Sequence, residues 1–222
     1  MAHGELRVLV FAASLREASL NAKLAELAAR TAEKAGAIVD RATLRDFDAP
    51  SFDGDDEAAG QIPDGVHEFK RRIEANDAFI VASPEYNGSM CGALKNVVDW
   101  TSRFRPQPFD GRHGLLVSAS PSMAGGNRGL WALRVPFEHL GARIFPDMFS
   151  LAAAHRGLVD GRIADDALRA RFDKTIHAFL SLAEAAKHYP CIKRAWVEFL
   201  GEPPGQGADR VDPVEGEAAA RP

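Results

Sequence analysis

Ser83-Pro84-Glu85-Tyr86-Asn87-Gly88-Ser89-Met90-Cys91-Gly92-Ala93-Leu94-Lys95-Asn96-Val97-Val98-Asp99-Trp100 is the stretch whose reading decides the fold. An apolar run, residues 78–82, leads into it and reads as a buried strand. A helical pattern leaves it, with Cys91, Leu94, Val97, Val98 and Thr101 on the buried face. Between strand and helix, Ser, Pro, Glu, Tyr, Asn and Gly occupy consecutive positions, a polar and sharply turned loop. In open α/β sheets, the loop at the carboxyl end of a strand is where ligands sit.

The flanking sequence repeats the same unit. Upstream, residues 6–11 (Leu-Arg-Val-Leu-Val-Phe) read as a buried strand. A helix follows, with Leu20, Leu24, Leu27, Ala28, Thr31 and Ala35 on one face and Asn21, Lys23, Glu26, Arg30 and Glu33 on the other; Gly36 stops it. Residues 37–44 form a second strand, placed nearer the edge by Asp40 and Arg41. Residues 46–63 are acidic and turn-rich and read as a loop. Their carboxylates lack His or Cys partners and EF-hand spacing, so a solvated connection is expected rather than a metal site. Val66, Phe69 and Ile73 stripe a short helix, and residues 77–82 are the third strand.

Downstream, residues 103–111 are a loop and residues 115–119 a fourth strand, running into a Gly/Ser-rich turn at 120–129. Leu130, Leu133, Phe137 and Leu140 follow at helical spacing, with Pro136 expected to kink that helix or confine it to its flanks. Residues 142–151 make an irregular fifth strand containing Pro146. Residues 165–187 are the last long helix, striped by Leu168, Phe172, Ile176, Phe179, Leu180 and Ala183. Alternating strands and crossover helices call for α/β architecture: a parallel sheet with helices on both faces. One domain is expected over residues 1–188 and a short amphipathic helix over 189–201, striped by Ile192, Trp196, Phe199 and Leu200. The tail, 202–222, is rich in Pro, Gly, Ala and charge and is expected to be disordered.

Composition narrows the function. A hydrophobic fraction of 46% over 222 residues supports a real core, and a net charge of -4 disfavours a basic nucleic-acid binder. The two cysteines, Cys91 and Cys191, lie far apart and fit reduced thiols; Cys91, on an apolar helix face, is expected to pack rather than react. Without a leader pattern or a run long enough to span a bilayer, a cytoplasmic protein that does not enter membranes is expected. The histidines are scattered, and no metal site is expected.

Three strand-to-helix loops fall at one edge. In the first, Ser14-Leu15-Arg16-Glu17-Ala18-Ser19-Leu20-Asn21 sets hydroxyls, an amide and a guanidinium at a helix N-terminus. Such a place favours an anion, although N-capping by Ser19 or Asn21 explains part of the pattern equally well. There is no G-x-G-x-x-G after the first strand and no P-loop, so a phosphate monoester fits better than a dinucleotide or ATP. In the second loop, Gly88 and Gly92 let a flat ligand approach the backbone. The third, with Gly125, Gly126 and Gly129, permits backbone contact again.

Ser14-Leu15-Arg16, Ser19, Asn21, the Ser83–Gly88 segment and Leu94-Lys95-Asn96 with Asp99-Trp100 together resemble the NADPH-dependent FMN reductase family. The resemblance spans residues 7–186 and implies the flavodoxin-like fold, a doubly wound five-stranded parallel sheet in the order 2-1-3-4-5. It implies FMN with its phosphate on Ser14, Arg16, Ser19 and Asn21. Its ring would lie against Pro84, Glu85, Tyr86, Asn87 and Gly88, closed on the other side by Ser120 and Gly125–Gly126. Glu85 either meets the ring or is structural, paired with an arginine of a second subunit. The activity implied is hydride transfer from NADPH or NADH to FMN and on to a quinone, flavin, azo compound or similar acceptor, in a homodimer or tetramer with the helix at 90–103 near the interface. A flavodoxin-like electron carrier and a cofactor-free binding module on the same fold are the alternatives. The family usually has Gly where this chain has Ala13, whose Cβ crowds the loop if the backbone needs φ > 0.

Overall fold

Strand β1 (Arg7–Ala12) turns Val8 and Val10 to one side of the sheet and Leu9 and Phe11 to the other, and all four are buried. Side chains alternate along a strand, so burial on both sides requires a sheet covered twice. The computed structural model, which describes residues 6–188, has that arrangement. After β1 the chain runs through α1 (Leu20–Lys34), β2 (Ile38–Thr43), a 3₁₀ turn at Leu44–Phe47, α2 (Gly54–Ala58), α3 (Asp64–Ala75) and β3 (Ala78–Ala82). It continues through α4 (Gly92–Thr101), β4 (His113–Ala119), α5 (Asn127–His139), β5 (Arg143–Ile144) and β6 (Phe149–Leu151). It then forms α6 (Ala154–Gly157), the small hairpin β7 (Leu158–Val159) and β8 (Arg162–Ile163), and α7 (Asp166–His188).

The sheet is parallel in the order β2-β1-β3-β4-β5, with β6 also on β4. This is the expected flavodoxin-like order. Helices α1 and α7 cover one face, where Leu24, Ala28, Phe172, Ile176 and Phe179 meet Val8, Val10, Ile80 and Val117. Helices α3, α4 and α5 cover the other, where Phe69, Ile73, Leu94, Leu133 and Phe137 meet Leu9, Phe11, Phe79 and Leu116. Each fully buried side chain of this size contributes roughly 1.5–3 kcal/mol before ordering costs. Because β1 connects outward to β2 while β3 lies on its other side, strand order reverses at β1/β3 and opens a crevice at their carboxyl ends.

The structure departs from expectation in local detail. The acidic segment 46–63 is not all loop: Leu44 and Phe47 are buried in the 3₁₀ turn, held by Thr43 N–H donating to Asp46 Oδ2 at 2.7 Å. Asp53 caps α2 by accepting the Asp55 N–H at 2.9 Å, so its polarity reflects helix starts as well as solvation. The fifth strand is split. Strand β5 pairs with His113 and Gly114 and β6 with Val117–Ala119, broken between by a segment holding Pro146, which has no N–H to donate. Helix α5 runs through Pro136 and closes on it, the Leu140 N–H donating to the Pro136 carbonyl at 3.1 Å. Trp100 and Cys91 are buried in the core, whereas Trp131 stands 58% exposed on α5. The readings for 189–201 and 202–222 lie outside the described residues.

Candidate functional site

The carboxyl ends of β1, β3 and β4 finish at nearly one level, with Ala12 paired to Ala82 and Ala82 to Val117. Ala13 N–H donates to Ala82 carbonyl and Ser83 N–H to Val117 carbonyl, both at 2.9 Å, and extend the ladder before the loops diverge. Ala13 does not have a positive φ, and its methyl group is buried against the second core. The Gly-to-Ala departure is therefore accommodated by packing.

In the first loop, Ser19 is the N-cap of α1 and accepts the Ala22 N–H at 3.2 Å. The N–H groups of Leu20 and Asn21 open the helix without intrahelical acceptors. Ser14 is half-buried and Arg16 is exposed, and the Arg16 guanidinium forms no ion pair among the described residues. An exposed guanidinium without an ion pair among the described residues, in the loop that leads into unsatisfied helix N–H groups, is a donor set that suits an anion. Asn21 is different. Its buried amide donates to the Ala119 carbonyl at 3.0 Å and accepts the Ala119 N–H at 2.9 Å, tying α1 to the end of β4.

The second loop folds into a two-residue hairpin. Tyr86 N–H donates to Ser89 carbonyl at 3.1 Å and Ser89 N–H to Tyr86 carbonyl at 3.0 Å, with Asn87 at φ 52° and Gly88 at φ 74°. Asn-Gly is the pair that tolerates two successive left-handed residues, which a type I′ turn requires. Tyr86 is 47% exposed, and a Cβ placed on Gly88 or Gly92 would meet nothing within 4 Å. This face is open to a flat ligand. Pro84 is buried beneath it.

Glu85 points inward. Its carboxylate, 7% exposed, accepts the N–H groups of Arg128 at 2.9 Å and Gly129 at 3.2 Å and the Arg128 Nε at 2.8 Å. Burial acts to raise its pKa, but the Arg128 guanidinium and these two N–H groups outweigh it and hold the carboxyl below the usual range. Its arginine belongs to the same chain.

In the third loop the Ser120 and Ser122 hydroxyls are 3.1 Å apart, and Ser122 N–H donates to Ser120 Oγ at 3.2 Å. The loop glycines serve packing between protein segments rather than an open face. A Cβ on Gly125 would lie 3.0 Å from Ala152 N, and one on Gly126 2.0 Å from Ser118 Oγ.

Of the residues named from sequence, Ser14, Arg16, Tyr86, Asn87, Gly88 and Ser120 thus lie on the rim, half-buried or exposed. Ser19, Asn21, Pro84, Glu85 and Gly125 lie beneath it. Sequence reasoning missed what Asn96 and Trp100 do. Asn96 Oδ1 accepts the Phe52 N–H at 2.8 Å, and its Nδ2 and Trp100 Nε1 donate to the Pro50 carbonyl at 2.8 and 2.9 Å. Phe52 meets the Trp100 ring edge-on, with centroids 4.9 Å apart. Their four-residue spacing on one helix face was the available signal. The pinned segment walls a cleft of about 600 Å³ lined by Leu15, Phe47, Phe52, Ala93, Lys95 and Asn96, among others, beside the first and second loops.

Known proteins share this plan. The model of the NADPH-dependent FMN reductase family matches residues 6–156. An NAD(P)H-dependent FMN reductase of Pseudomonas aeruginosa is 31% identical over 176 residues, 78% of this chain and 93% of that protein. A quinone reductase of Escherichia coli K12 is 30% identical over 140 residues, covering 63% of this chain and 73% of its own. Among solved structures, the flavoenzyme NAD(P)H:(acceptor) oxidoreductase FerB from Paracoccus denitrificans superposes with a TM-score of 0.70 at 28% identity, over 81% of this chain and 98% of its own.

Proposed function

The chain belongs to the NADPH-dependent FMN reductase family, and from that footing we propose that it is an FMN-dependent NAD(P)H oxidoreductase. FMN, when bound, supplies the hydride chemistry that links a reduced nicotinamide to a small-molecule acceptor such as a quinone, flavin or azo compound. The observation that carries the reading is the pairing of an anion-seeking helix start with an open hairpin face at one sheet edge. Ser14, Arg16 and the Leu20 and Asn21 N–H groups hold the phosphate. The backbone of Asn87 and Gly88 would contact the flavin ring, with Tyr86 as a wall of its pocket and Ser120 across from them. Ser19, Asn21, Pro84 and Gly125 support these contacts from below. No side chain of this chain is assigned as acid or base.

The quaternary state proposed is a homodimer or tetramer in which α4 lies near the interface, and the location proposed is cytoplasmic. Among the described residues no helix is long and apolar enough to cross a membrane.

An absorbance spectrum of the FMN-reconstituted protein, taken before and after anaerobic NADPH, tests the reading. The expected result is a flavin band that bleaches and returns on addition of a quinone. A band that persists under NADPH would make the protein an electron carrier, and failure to retain or turn over FMN would leave a cofactor-free module.

A further inference from the structure

The second and third loops meet through one carboxylate. A helix begins with N–H groups that its own backbone cannot satisfy. At the start of α5 the N-cap position is Gly126, which has no side chain to supply an acceptor. Glu85, 43 residues earlier in the chain, takes that role, accepting the N–H groups of Arg128 and Gly129 while also holding the Arg128 guanidinium. The fit is close. A Cβ on Gly129 would lie 3.1 Å from Glu85 Cα and 3.0 Å from Ser89 carbonyl oxygen, the atom that also closes the Tyr86–Ser89 hairpin. Beneath Gly126, the Ser118 hydroxyl is buried and fills the space that any side chain at 126 would need.

We propose that Glu85 is a positioning residue: by capping α5 from the neighbouring loop, it sets the Tyr86–Ser89 hairpin and the 120–126 turn at fixed heights before FMN arrives. The proposal rests on the FMN reading. A ligand that meets two loops already ordered against each other does not give up binding free energy to order them. Without the carboxylate, the first N–H groups of α5 face water, and the hairpin loses its tie to the third loop. Binding must then supply the ordering. The inward carboxylate also explains a charged residue on a surface that receives an uncharged ring edge: the charge is used on the far side.

The test compares wild type, Glu85→Ala and Glu85→Gln by FMN titration followed by flavin fluorescence. Amide hydrogen exchange at Ser89, Arg128 and Gly129 is measured in parallel on the FMN-free proteins. Glu85→Ala is expected to raise the FMN Kd roughly tenfold and to speed exchange at all three amides. Glu85→Gln keeps the shape and one acceptor oxygen, so its Kd is expected to rise only about threefold, with partial protection retained. If Glu85→Ala does not fold, Glu85→Gln decides on the same two readouts. Unchanged FMN affinity in the folded variants would overturn the proposal. So would weaker binding with no loosening of these amides, since the effect would then be the charge itself rather than loop position. A wild-type chain that binds no FMN fails the flavin reading and takes the proposal with it; wild-type binding with equal binding by the variants fails the proposal alone.

Discussion

At the scale of single residues, side-chain chemistry and side-chain direction part company. Arg16 and Asn21 stand in one motif, and both are polar. Arg16 has no ion-pair partner among the described residues, while the Asn21 amide is engaged on both sides by Ala119. Their substitutions should therefore fail differently. If Arg16 holds the FMN phosphate as proposed, Arg16→Ala removes charge-assisted hydrogen bonds each worth about 1.5–3 kcal/mol, and FMN affinity should fall on the order of ten- to a hundredfold. Riboflavin, which has the ring without the phosphate, should bind wild type and Arg16→Ala equally. Titrating both ligands against both proteins checks it, and an equal loss for riboflavin would remove Arg16 from the phosphate site. Glu85 follows the same logic in reverse: the residue type promised a ligand contact or a partner subunit, and its direction made it a helix cap.

At the scale of elements, α4 joins the site to the rest of the fold. Its buried face, Leu94, Val97 and Val98, packs on the sheet, and Asn96 and Trp100 grip residues 50–52 on its flank. That grip gives the cleft beside Leu15 its outer wall. Asn96→Ala leaves the Phe52 N–H and the Pro50 carbonyl to other partners and should cost on the order of 1–2 kcal/mol in stability. Trp100→Phe loses the indole bond to Pro50 and, because Trp100 is fully buried, also leaves a cavity, so it should cost on the order of 2–3 kcal/mol. Urea unfolding measures both, and faster amide exchange at Phe52 in Asn96→Ala would localise the change to the pinned segment. An unaltered Phe52 amide would mean that this segment is held by something else.

At the scale of the whole molecule, two cores on opposite sides of one sheet leave the carboxyl edge as the place where loops gather. The quaternary proposal is tested at this level. The exposed side of α4 holds the Lys95–Asp99 pair, whose charges are 2.5 Å apart and 39% exposed each. An exposed pair of this kind contributes at most about 1 kcal/mol to folding, so Lys95→Glu should change monomer stability little. If α4 lies in the interface, the same variant reverses a charge within the contact between copies and leaves two neighbouring carboxylates to be desolvated there. Light scattering should then show a dimer or tetramer for wild type and a shift towards monomer for Lys95→Glu. A variant that keeps the wild-type mass would move the interface off this helix.

The sequence by itself determined the main alternation of strands and long helices, because burial on both faces of a sheet leaves near-continuous apolar runs such as 6–11 and 78–82, and helix faces repeat at a helical period. The short α2, the split of the fifth strand and the β7–β8 hairpin carry no such pattern. It also located the three loops, since Asn-Gly, clustered glycines and Ser-x-Arg mark chain reversals and helix starts wherever they occur. What it did not determine was the direction of each polar group within those loops. Asn21 meets Ala119 and Glu85 meets Arg128 only because parallel strands bring the carboxyl ends of β1, β3 and β4 side by side, at sequence separations of 98 and 43 residues. Hydrogen bonds of that reach have no local pattern. Tertiary structure alone decided which polar side chains of these loops stay exposed at the sheet edge and which are used to tie the loops together.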